Sequence, residues 1–254
     1  MMRIGPDYRH GDQVDFDDIR KTFGFNTIKI GSWVTKQERL EAANQIYDAL
    51  ADLTLILNIQ PTIIGLRESL NFAYGTGGQL GVQAHYDAQS RTIALAKHAG
   101  RGALAHEWWH AFDHYISKFL FSNTTAHDFA SRLWLERKID NLHTLNKLLN
   151  ALFSALFLDE TGQHCSNYFN RAKDIDSRIG AFYYAKPEEL TARAFELFIA
   201  KHRDIKNAYL VDSIEESDIT KRGAFPNDDL FRTIQPIYLT YFKHLAALYR
   251  HHLD

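Results

Sequence analysis

The sequence predicts an α+β fold in which a small twisted sheet packs on amphipathic helices and the C-terminal part is rich in helix. Three observations carry this. Short apolar segments bounded by turn residues are confined to the N-terminal part of the 254-residue chain, helical periodicity dominates the remainder, and the two regimes meet at a helix-like segment over Arg101–Leu120. A chain of this length can bury a core without disulfides or metals as staples.

In chain order, residues 1–22 are polar and read as irregular, and Phe23–Ile30 reads as a short strand ending at the turn Gly31–Ser32. Thr35-Lys36-Gln37-Glu38 is a capping box. Leu40, Ala43, Tyr47, Leu50, Leu53 and Leu57 then recur at three- and four-residue spacing, which predicts a helix to about Asn58. Strands are expected at Thr62–Leu66, Leu80–Tyr86 and Arg91–Ala96, the last two as a hairpin about Asp87–Ser90. Gly75-Thr76-Gly77-Gly78 is not read as a phosphate loop, because no Lys-Ser/Thr follows and a strand comes next. Ala126–Phe157 predicts two helices. After a loop through Gly162–His164, a helix is expected from Pro187, a residue suited to the first helical turn. Asp212–Gly223 reads as a surface loop and Pro226–Leu253 as a helix interrupted or kinked at Pro236.

The charge balance, 29 basic against 31 acidic residues, supplies no bulk attraction to phosphate backbones or anionic lipid. No bulk nucleic-acid binding is expected. Cys165 is the single cysteine and cannot form an internal disulfide, which favours a reducing, cytoplasmic setting. The opening MMRIGPDYRHGDQ has no apolar h-region, and no apolar run approaches the roughly 20 residues that span a bilayer, so neither export signal nor membrane association is expected. Histidine is abundant, at 13 residues, and it is the commonest metal-binding side chain.

His106-Glu107-Trp108-Trp109-His110 fits the H-E-x-x-H pattern, in which two imidazoles one helical turn apart face one zinc ion. At the chain's own residue frequencies about 0.03 accidental matches are expected. At about 100° per residue, His110 and Asp113 share a helix face with His106, while Glu107 lies just beside it. Zinc lowers the pKa of a bound water, and a neighbouring carboxylate can take its proton during attack on an amide carbonyl. Glu107 is that carboxylate. Asp113 is placed to accept the free ring N–H of a histidine ligand. Trp108 and Trp109 point away from this face, into the domain.

A third ligand must come from elsewhere. The extended metzincin pattern would require Gly at position 113 and His at position 116, where Asp113 and Ile116 stand. His114 would diverge too far around the helix for a tetrahedral site. Glu189, followed by the small Ala192, is the favoured ligand, with Glu188 and Glu196 as alternatives. Arg193 and Glu196 share its helix face and can orient it. Glu188 and Glu189 are also first-turn acids favourable to a helix dipole.

The stretch from Phe23 to about Ala200 resembles the zincin-like metallopeptidase domain of bacterial and phage proteins, of the calcium-activated chloride channel accessory and large polyvalent protein-associated types. The resemblance is carried by Gly24-Phe25, Gly31-Ser32-Trp33-Val34-Thr35, Asp48-Ala49-Leu50-Ala51-Asp52-Leu53, Ala84-His85-Tyr86, the run Gly102 to Asp113, and Tyr183-Tyr184 through Glu196. It implies a zincin fold with His106, His110 and Glu189 on Zn2+ and Glu107 as general base, in a peptide hydrolase acting on a peptide or protein substrate. Where the family has glycine-alanine-arginine-glycine, Gly75-Thr76-Gly77-Gly78 stands here, so no arginine role carries over. The implied division is an irregular segment at 1–22, a zincin-like catalytic domain at 23–205, and a helical extension at 206–254 packed on the same domain. In zincins the edge strand before the active helix takes peptide by strand addition, and Arg91–Ala96 stands in that place. Tyr183 or Tyr184 can hydrogen-bond the oxyanion. The alternative function is a metal-binding but non-catalytic accessory protein of a mobile genetic element. His85, His98, His164 and Cys165 are expected in surface or turn positions.

Overall fold

The computed structural model describes residues 3–76, 84–97, 102–141, 143–212, 214 and 218–250. The chain divides into two compact units, Met1–Ala111 with Ile199–Asp212, and Phe112–Phe198 with Ser213–Asp254. Gly77, Gly78, residues 80–83 of one expected strand, His98 and Arg101 lie outside the described residues. The class is α+β, mostly helical, with one small mixed sheet among the described residues.

The first unit begins with a helix that departs from the sequence expectation. Residues expected to be irregular form α1 (Phe16–Phe23), capped by a reciprocal Asp15–Asp18 box and ended by Gly24 at φ 68°. Two turns of helix are too short to show a clear period, and burial of Phe16, Ile19 and Phe23 supplies the stability. The expected strand Phe23–Ile30 therefore shrinks to β1 (Ile28–Ile30). Helix α2 (Lys36–Leu57) starts at its Thr35–Glu38 capping box and stops at Asn58 in the left-handed conformation.

Thr62–Leu66 is not a strand. Pro61–Ile63 forms a short 3-10 helix, and Leu66, Arg67 and Glu68 all have positive φ, a path incompatible with extended backbone. The strand that follows is β2 (Asn71–Tyr74), which the sequence expectation did not include. The expected hairpin is present as β3 (Ala84–Asp87) and β4 (Thr92–Leu95), paired antiparallel.

The sheet order is β1-β2-β4-β3, with β2 parallel to both β1 and β4. This corrects the edge assignment: β4, within Arg91–Ala96, is interior, because β2 takes its second edge, and β3 is exposed at the rim. Helix α1 packs on β1 and on α2, and Phe16 stacks on Tyr74 while Phe25 packs on Phe72. Gly75 has a structural reason. It has φ +63°, and a Cβ there would come 2.6 Å from the Val34 side chain, while a Cβ on Gly31 would come 1.8 Å from the Gly75 carbonyl oxygen.

Helix α3 (Leu104–Leu120) carries the H-E-x-x-H residues. The second unit contains α4 (Ala130–Glu136), α5 (Thr144–Phe157) and α6 (Asn167–Ile179), followed by α7 (Pro187–Ala200), the four-residue α8 (Asp218–Lys221) and α9 (Asp228–Arg250). Helix α6 was not anticipated, although Ser166 caps its start and Gly180, at φ 65°, ends it. Part of the expected loop Asp212–Gly223 is α8. Helix α9 is continuous through Pro236, because Ile234, Tyr238, Tyr241 and Phe242 are all buried and hold both halves against the core. Helix α5 packs along α9, and Trp134, Phe153, Phe157 and Phe169 form one connected group of rings. No helix among the described residues is long and apolar enough to cross a membrane.

Candidate metal centre

Helix α3 begins where loop backbone receives its first amides. Gly102 N–H donates to the Tyr209 carbonyl at 3.1 Å and Ala105 N–H to that of Leu210 at 3.2 Å, satisfying donors that a helix start leaves unpaired. Trp108 and Trp109 are completely buried, and Trp108 Nε1 donates to the Ile64 carbonyl at 3.0 Å. Two large rings locked on one side fix the rotation of the helix. The opposite side then presents His106 and His110, whose rings lie 4.8 Å apart at 77°. Glu107 is buried beside them.

Glu189, in the first turn of α7, joins these two histidines. One ligand atom each from His106, His110 and Glu189 lies within 4.8 Å of the others, and His110 and Glu189 are buried. The set can hold a metal ion. Its chemistry is two imidazoles and a carboxylate, the donor types that borderline divalent ions prefer.

Arg193 lies one turn along α7 from Glu189, 3.5 Å from its carboxylate, and is itself buried. Its Nε donates to the Ala224 carbonyl at 3.0 Å, another guanidinium nitrogen donates to the Tyr184 carbonyl, and its plane sits 5.1 Å from the Tyr184 ring centre. The arginine therefore holds Glu189 from a fixed backbone frame. Tyr168 adds to this frame: burial pushes its phenol up to about 12, so it stays protonated and donates to the Leu190 carbonyl at 2.9 Å.

Asp113 is completely buried and accepts from Ser131 N–H at 2.9 Å and Ser131 Oγ at 2.5 Å. Ser131, on α4, was not anticipated, since nothing in its local sequence sets it apart from an ordinary helix serine. Glu196 is half-buried on α7. Tyr183 is partly exposed, and its ring contacts that of Tyr184 at 5.3 Å. His114 packs against Phe129 at 5.5 Å. His85 is exposed on β3, and exposed His164 pairs with Asp159 at 3.3 Å.

Residues 175–248 match the family model of large polyvalent protein-associated domain 1. The matched segment contains Glu189, Arg193, helices α7 and α8 and most of α9, and it overlaps the resemblance described above from residue 175 to about 200. No curated protein and no solved structure matches the chain.

Proposed function

We propose that the chain is a zinc-dependent peptide hydrolase of zincin-like type. The observation that supports this reading is the convergence of His106, His110 and Glu189 beside a buried Glu107. His106, His110 and Glu189 would hold the ion. When bound, zinc acidifies a water and polarises the substrate carbonyl.

Glu107 takes the proton from the attacking water and passes it to the leaving amine. Arg193 orients Glu189, and Ser131 holds the Asp113 carboxylate on the helix that carries the two histidines. Tyr184 or Tyr183 donates to the oxyanion. The exposed rim strand β3 offers a backbone edge for an extended peptide, in place of the interior β4. The single cysteine supports a cytoplasmic setting.

A second reading, a metal-binding accessory protein without turnover, is favoured by the match of residues 175–248 to a domain defined by its association with large polyvalent proteins. Metal analysis and a peptide-library assay of wild type and Glu107→Gln separate the two. Hydrolysis that needs zinc and disappears in Glu107→Gln, with zinc retained, supports the hydrolase. Stoichiometric zinc with no peptide cleaved in wild type supports the accessory protein.

A further inference from the structure

Asp176, in the last turn of α6, is buried and is no part of the ligand set. Its carboxylate accepts three consecutive backbone N–H groups of the connection to α7: Tyr183 at 3.1 Å and Tyr184 at 2.8 Å on Oδ1, and Ala185 at 2.8 Å on Oδ2. Its main-chain carbonyl accepts two more, from Gly180 and Ala181, and those two bonds already end α6. The three side-chain bonds therefore act on the other helix. A charged acceptor makes them stronger than neutral ones, and they fix the backbone immediately before α7.

Both supports of Glu189 start from that fixed backbone. Along the main chain, Lys186 N–H donates to the Tyr183 carbonyl, and the Lys186 carbonyl in turn accepts Glu189 N–H at 3.1 Å. Through side chains, the Tyr184 carbonyl accepts from the Arg193 guanidinium, which stands 3.5 Å from the Glu189 carboxylate. Arg193 is buried, so this relay runs through the interior. We propose that Asp176 is a positioning residue of the metal centre: by holding residues 183–185 it sets where the Glu189 carboxylate meets His106 and His110. This rests on the reading of those three residues as one metal centre, and it needs no turnover. An asparagine at this position would turn one acceptor oxygen into an amide donor facing a backbone donor, so the cradle cannot survive that change intact.

The test titrates zinc calorimetrically into the metal-free full chain. Asp176→Asn should weaken zinc binding about tenfold, the lower end of what losing an outer partner costs. Combined with Arg193→Lys, its loss should be smaller than the product of the two single losses, because both act on one relay. Ser166→Ala is the structural control. Ser166 caps the opposite end of α6, so its loss weakens the same helix without touching the connection, and zinc affinity should not change. Cobalt(II) loaded in place of zinc should give a shifted visible spectrum in Asp176→Asn and an unshifted one in Ser166→Ala. Asp176→Glu keeps the charge and should recover part of the affinity. If Asp176→Asn fails to fold, Asp176→Glu is read instead, against an expected loss of about threefold, the worth of one weakened hydrogen bond. Wild-type zinc affinity in Asp176→Asn, an equal loss in Ser166→Ala, or losses that multiply fully with Arg193→Lys overturns the proposal. Failure of the wild type to bind zinc removes the metal centre and the proposal together, whereas zinc bound with no peptide cleaved removes only the hydrolase.

Discussion

The Arg193 guanidinium stands 3.5 Å from the Glu189 carboxylate, one helical turn along α7, and both side chains are buried. An acid in the first turn of a helix commonly faces solvent and the helix dipole, as Glu188 and Glu189 could both have done. Arg193 instead draws Glu189 into the protein, beside the histidines. Arg193→Ala should cost about 3–5 kcal/mol of stability in a denaturant titration, because it leaves a buried carboxylate without its cation. Metal affinity should fall about 10–100-fold. Arg193→Lys should recover charge but not the bonds to the Tyr184 and Ala224 carbonyls, so rescue will be partial. Unchanged metal affinity in Arg193→Ala would remove its orienting role.

Glu189→Ala should weaken zinc binding by well over the roughly tenfold typical of losing an outer partner, whereas Glu188→Ala should leave it nearly unchanged. Calorimetric titration of zinc into the two variants decides this. Equal affinities would exclude Glu189 as a ligand and leave His106 and His110 standing.

Ser131→Ala removes the 2.5 Å bond from Oγ to the buried Asp113 carboxylate. The expected loss is about 1–3 kcal/mol, since the remaining carboxylate is still buried. Chemical denaturation of the metal-free protein reads it without interference from zinc. A change below about 0.5 kcal/mol would mean that Asp113 finds an equivalent donor.

Glu38 gives a pH dependence remote from the metal. Lys97, at 2.6 Å, and then the Thr35 capping bonds hold its carboxyl at about 2, below the ordinary 4.5. A depressed carboxyl favours the folded state above its unfolded value, so this contribution is complete above pH 4.5 and disappears as pH falls toward 2. Glu38→Gln should flatten the acid limb of stability in that window, measured by circular dichroism at fixed denaturant. An acid limb of unchanged steepness would count against the assignment.

The local sequence determined what depends on short-range geometry. Histidines four residues apart must share a face of any helix that contains them, so His106 and His110, with Glu107 beside them, were legible before any fold was known. The Thr35–Glu38 box determined the start of α2 for the same reason, since its partners are three residues apart. Pairing over long separations was decided only by tertiary structure. Whether Arg91–Ala96 would be a rim or an interior strand depended on where β2 docked, a pairing of residues 71–74 with 92–95 that no local pattern displays. The meeting of Glu189 with two histidines far back in the chain and the bond from Ser131 to Asp113 are likewise decided beyond the local sequence. Within each unit, burial of apolar side chains such as Trp108 and Trp109, or Phe195 and Tyr238, packs the helices without any spacing rule that the sequence could display.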